Sequence, residues 1–226
     1  MLLARIHHVC YTLAVAIKIF LDMDQVLADF DKAAREHMKP ASGKWKQLVD
    51  EFGRHDIVSH DSTTDEVKRF IRHLRSDGHN LGTSTARHYA KVAQTYVDDF
   101  YKLFGRKGFF RNLEVLDGAH RLVEHSLELS NGNVCVLTAP VRSEWCVPEK
   151  IEWIGHHFPN VFREFYADAK KHLYCDGPGS ILVDDRTKNT VPWEEAGGTA
   201  FLYTGDTETT CRDMSEFVRV YESARL

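Results

Sequence analysis

Two pairs of aspartates and one threonine stand where apolar runs stop. Asp22 and Asp24 follow Ile17–Leu21, Thr138 follows Val134–Leu137, and Asp184 and Asp185 follow Ser180–Val183. An acid after a strand is by itself a common helix cap or turn residue. Two such pairs with a hydroxyl at a third strand end imply more. Four carboxylates in one crevice raise one another's pKa unless positive charge lies between them. A hard divalent cation meets that need, and Mg²⁺ takes a few carboxylates together with water and phosphate oxygens. The pattern therefore predicts a metal-assisted phosphate site. Asp29 and Asp31 fall on the next helical stretch and are assigned no chemistry.

For these residues to meet, the elements behind them must be neighbours. Ile17–Leu21, Val134–Leu137, Ser180–Val183 and Ala200–Tyr203 read as short strands buried on both faces, with a shorter one at Phe165–Ala167. Helical patterns separate them at Val26–His37, Gly118–Leu129, Pro148–Phe158 and Trp193–Ala196. Alternation of this kind predicts an α/β fold with a doubly wound parallel sheet, whose ligands bind beyond the carboxyl ends of the strands. The block 33–111 has a different character. Ser62-Thr63-Thr64-Asp65 forms a capping box before Glu66–Leu74, and Tyr89–Phe104 is amphipathic and closed by Gly105. It reads as an inserted helical cap within a core made of 17–32 and 112–226.

Composition narrows the class. The chain has 226 residues, 43% of them hydrophobic, and a formal net charge of −4, which suits a globular domain rather than a grip on a nucleic-acid polymer. Five scattered cysteines without a C-x-x-C pair suggest no disulfide framework and point to a reducing, cytoplasmic setting. Residues 1–16 superficially resemble a signal peptide, but Arg5, His7 and His8 interrupt a run too short to span a bilayer. They read as an N-terminal extension, with no membrane partner expected. The doublets His7-His8 and His156-His157 lack a matching ligand set and read as surface residues.

Asp22-Met23-Asp24-Gln25-Val26-Leu27-Ala28, Leu137-Thr138, a later Lys and Asp184-Asp185 resemble, in order, the four motifs of the haloacid dehalogenase-like (HAD) phosphohydrolases. Gly108-Phe109-Phe110-Arg111-Asn112-Leu113, Thr138-Ala139-Pro140, Lys150 with Trp153, and Ile181–Arg186 further resemble the 5'(3')-deoxyribonucleotidases. The resemblance implies a Rossmann-like core with a cap and a Mg²⁺-dependent hydrolysis of nucleoside monophosphates, with a homodimer allowed. It makes Asp22 the nucleophile, Asp24 the general acid, and Asp22, the Asp24 carbonyl, Asp184 and Asp185 the metal ligands, with the choice between Asp184 and Asp185 left open. Thr138 would bind a phosphate oxygen. Lys170 and Lys171 compete as the phosphate lysine. Lys171 is preferred because Lys171-His172-Leu173-Tyr174 looks like the family's strand-edge lysine. Lys150 and Arg142 are further phosphate or sugar candidates, and Phe109, Phe110 and Trp45 are candidates to contact the base. Gln25 departs from the pattern, standing where the family usually has Gly, and the insert is longer than is usual.

Overall fold

The computed structural model describes residues 17–38 and 83–224. Trp45 and the 62–65 capping box lie outside the described residues, as do residues 1–16. Five parallel strands carry the core: β1 (Lys18–Leu21), β2 (Val134–Thr138), β3 (Glu164–Ala167), β4 (Ser180–Asp184) and β5 (Thr199–Leu202), in the spatial order β3-β2-β1-β4-β5. From β1 the chain winds outward to β2 and β3, then crosses back to β4 and β5. The winding direction therefore reverses beside β1, where the carboxyl ends of β1 and β4 open a crevice. Register completes the placement. Leu21 is level with both Val136 and Val183, so the next residue, Asp22, stands beside Asp184.

Side chains alternate across the sheet, and each set finds its own cover. Ile19, Leu21, Val134, Val136, Ile181 and Val183 join one large cluster. Helices α3 (Ala119–Ser130), α4 (Cys146–His157) and α6 (Thr207–Ser223) add to that layer, as do Met23–Ala28 and Leu103–Leu113. Phe20, Cys135, Leu137 and Leu182 point the other way, onto Trp193 of α5 (Thr187–Glu195). Burying both faces is what lets the central strands be continuously apolar. Two more helices, α1 (Phe30–Met38) and α2 (Thr83–Leu103), flank residues 39–82. Ala90, Ala93 and Val97 form a buried stripe on α2 at helical spacing.

Several expected boundaries move. The helix expected from Val26 begins only at Phe30. Residues 23–28 instead form tight turns, with Gln25 N donating to Ala28 O and Leu27 N to Met23 O. Val26, Leu27 and Ala28 are fully buried, so their apolar character serves tertiary packing and not a helical stripe. α2 starts at Thr83, upstream of the expected Tyr89. α4 starts before Pro148, which is tolerated in a first turn where its missing N–H has no partner to lose. α5 is longer than the expected Trp193–Ala196 because it accommodates Pro192. Lys171–Tyr174 is a 3₁₀ turn, not a strand edge. α6 escaped the sequence reading. Asp206 caps it by accepting from Thr209 N, and Cys211, Met214 and Val218 are its buried face.

Candidate active site

Asp22 continues the β1 pairing, with its N–H donating to Val183 O at 3.0 Å. Its Oδ1 accepts from Met23 N at 2.7 Å and pairs with Lys171 Nζ at 2.9 Å. The same ammonium lies 2.6 Å from Asp184 Oδ2. Lys171, Asp22 and Asp184 are all buried, and one oxygen from each of Asp22, Asp184 and Asp185 falls within 4.8 Å of the others. Burial works against the Lys171 ammonium, but Asp22 and Asp184 outweigh it and hold its pKa above the ordinary value. Asp185 is half-buried. Its pKa is pushed up to about 7, first by desolvation and then by the charges of Asp22 and Asp184. Burial, with the Asp22 charge behind it, also raises the pKa of Asp184.

A second buried ammonium organises the other half of the crevice. Lys150, on α4, donates to Asp24 Oδ2 and to Thr138 Oγ1, both at 2.7 Å. The Phe110 ring centroid is 5.1 Å from the same Nζ. Asp24 Oδ1 is buried and makes no hydrogen bond among the described residues. Desolvation raises the Asp24 pKa against the pull of Lys150, which favours the protonated carboxyl. The two lysines thus divide the aspartates. Lys171 pairs with Asp22 and Asp184, and Lys150 with Asp24.

Residues 84–222 match the profile of the family described as 5' nucleotidase, deoxy (pyrimidine), cytosolic type C protein. The chain belongs to this family. It is 23% identical over 190 residues to the human cytosolic-type 5'(3')-deoxyribonucleotidase, covering 81% of this chain and 76% of that protein. It is 23% identical over 173 residues to the mouse mitochondrial 5'(3')-deoxyribonucleotidase, covering 76% of this chain. That match spans 65% of the mouse protein's length. Among solved structures, a HAD-superfamily hydrolase from Ehrlichia chaffeensis aligns with 90% of this chain and 98% of its own, at a TM-score of 0.46 and 14% identity.

Within this member of the nucleotidase family, the structure brings Asp22, Asp24, Thr138, Lys150, Lys171, Asp184 and Asp185 to one crevice. Lys170 is exposed, and Lys171 is the lysine that reaches Asp22. Arg142 stays exposed on the loop after β2. Phe109 and Phe110, candidates to contact the base, pack into the aromatic cluster beside α1 and α2. Both are buried, at ring distances of 5.7–6.5 Å from Phe30 and Phe104 and 5.1 Å from each other. The Asp24 side chain also stands apart from the three-carboxylate cluster, which leaves only its backbone carbonyl for the ligand role expected of it.

Asn189 was missed. Its Nδ2 donates to both oxygens of Asp184, at 2.9 and 3.0 Å, while Arg186 N donates to Oδ1 at 2.9 Å. Asp184 thereby accepts from Lys171, Asn189 and the Arg186 backbone, which fixes its carboxylate beside Asp22. The only signal in the sequence is a polar residue one helical turn into the element that follows the acidic pair. Among the described residues the three clustered carboxylates share the Lys171 ammonium, with Arg186 acting on Asp185 from alongside, and the all-oxygen donor set fits a hard divalent cation.

Proposed function

We propose that this chain is a Mg²⁺-dependent phosphomonoesterase that cleaves deoxyribonucleoside or ribonucleoside monophosphates to nucleoside and phosphate through an aspartyl-phosphate. The observation that carries the reading is the unequal environment of two aspartates two positions apart. Asp22 is tied to Lys171 through one oxygen, leaving Oδ2 free of hydrogen bonds among the described residues. Asp24 has a raised pKa and a buried oxygen without a partner. One is suited to attack and the other to give a proton.

Asp22 Oδ2 attacks phosphorus in line with the ester oxygen. The O–P bond to Asp22 forms as the ester P–O bond breaks, and the leaving alkoxide takes the proton from Asp24. Asp24, now ionised and held by Lys150, accepts a proton from the water that attacks the aspartyl-phosphate. The water oxygen bonds to phosphorus as the O–P bond to Asp22 breaks, so phosphate leaves, Asp22 is again a carboxylate and Asp24 is again protonated. Thr138 Oγ1 and the Lys150 and Lys171 ammonium groups would bind the phosphoryl oxygens. Asp22, Asp185 and Asp184 would hold Mg²⁺, which supplies positive charge against the phosphoryl group when bound. Preorganised charge is the main resource for such a reaction, because monoesters hydrolyse extremely slowly unaided.

Family membership and the names of the relatives support a nucleotide substrate. The burial of Phe110 favours a second reading, another small phosphorylated metabolite, because no open aromatic face lies beside Lys150 among the described residues. A cytoplasmic setting belongs to the proposal and accords with free thiols at Cys135, Cys146, Cys175 and Cys211. So does a homodimer. No helix among the described residues is long and apolar enough to cross a membrane. The test is phosphate release from nucleoside monophosphates, sugar phosphates and p-nitrophenyl phosphate, with Mg²⁺ or with EDTA. Mg²⁺-dependent release favouring nucleotides is expected. Faster release from sugar phosphates selects the second reading, and inactivity on every monoester overturns both.

A further inference from the structure

Glu149 precedes Lys150 on α4, and its carboxylate is buried at 1% exposure. Among the described residues no ion pair reaches it. Three backbone donors do: Gly108 N to Oε1 at 2.5 Å, then Phe110 N and Arg111 N to Oε2 at 3.2 and 3.4 Å. A buried carboxylate persists only when such donors satisfy it. Here all three come from one turn, on the limb that returns the chain from α2 to the core. Successive residues on a helix point about 100° apart. α4 can therefore grip that turn with Glu149 and reach the crevice with Lys150.

The turn matters because of what it carries. Phe110 is fully buried, and its ring centroid lies 5.1 Å from Lys150 Nζ. A ring face attracts an ammonium at this range. The ammonium in turn donates to Asp24 Oδ2 and Thr138 Oγ1. We propose that Glu149 is a positioning residue: by holding the Gly108–Arg111 turn it sets the Phe110 ring against the Lys150 ammonium and so fixes that ammonium between Asp24 and Thr138. This rests on the reading of Asp24 as proton donor and Thr138 as phosphate ligand.

Glu149→Gln is nearly isosteric, but its amide nitrogen would face a backbone N–H. A displacement of the order of 1 Å at a reacting group can lower the rate about a hundredfold. In the full-length Mg²⁺-loaded protein, Glu149→Gln should therefore reduce kcat and kcat/KM together by roughly ten- to a hundredfold. Glu149→Asp, which keeps both acceptor oxygens, should lose less, and it carries the test if the Gln variant does not fold. Phe110→Leu removes the ring but keeps apolar bulk. If Glu149 acts through Phe110, the double variant is no slower than the slower single variant. Losses that multiply overturn the proposal, as does a Glu149→Gln effect confined to melting temperature. Amide exchange at Gly108, Phe110 and Arg111 reads the contact without substrate. It should accelerate in Glu149→Gln, and unchanged exchange overturns the proposal whatever the activity. An inactive wild type with accelerated exchange in the variant would instead locate the failure in the functional reading.

Discussion

Lys171 is almost fully buried, and its ammonium is held by two carboxylates, Asp22 and Asp184. Removing one partner should therefore cost more than losing an exposed ion pair. Lys171→Met leaves Asp22 and Asp184 facing each other without their shared cation, and urea melts in EDTA should show a loss of about 3–5 kcal/mol. Saturating Mg²⁺ should restore part of it; a loss under about 1 kcal/mol would contradict the geometry. Asp24→Asn tests the other half. The amide cannot donate an acidic proton to the leaving group, so nucleoside monophosphate hydrolysis should fall by about 10²–10⁴-fold. p-Nitrophenolate leaves without needing a proton, so the loss on p-nitrophenyl phosphate should be at least about tenfold smaller. Equal losses on the two substrates would remove Asp24 from the acid role.

The strand ends were legible because each apolar run and the acid that follows it are contiguous in sequence, and parallel pairing then aligns their tips. What depends on packing between distant elements was not legible. Asn189 and Glu149 act through partners that only the folded chain brings near, and Lys150 pairs with Asp24, 126 positions away. The α1 boundary failed for a related reason. Gln25 takes φ 60° and its Oε1 accepts from Asp31 N at 3.0 Å, so a turn occupies the place of a first helical turn. Left-handed backbone also sets the entry to α3. Gly118 has φ 80°, and a Cβ there would lie 2.3 Å from Oγ1 and 3.0 Å from Cβ of Thr207, a buried residue of α6. Gly132, past the end of α3, has φ 81° with nothing within 4 Å of a Cβ. Gly132→Ala should cost about 1–2 kcal/mol from conformation alone. Gly118→Ala adds overpacking of about 1–3 kcal/mol to the same strain. Denaturant melts giving equal losses would mean that the α3–α6 contact yields freely.

At the scale of the whole molecule, a chain of net charge −4 concentrates further negative charge at the tips of β1 and β4. This links folding to both protons and metal. In the metal-free protein the pKa of Asp185 is pushed up to about 7, and those of Asp184 and Asp24 are also raised. An unfolded aspartate titrates near 4, so between about pH 4 and 7 the native state binds more protons than the unfolded state. Stability without metal should therefore decline as pH rises through that window. A divalent cation replaces the protons, so its stabilising effect should grow in the same direction. At a hundredfold excess over its dissociation constant, a ligand specific for the native state adds about 2.7 kcal/mol, which is several degrees in Tm for a domain of this size. Thermal melts with Mg²⁺ or EDTA should show a gain of a few degrees at pH 8, above the Asp185 pKa. At pH 5 the gain should shrink to about a degree or less, because the carboxyl that would face the ion is protonated. A Mg²⁺ gain equal at the two pH values, or larger in acid, would detach the three-carboxylate cluster from metal binding.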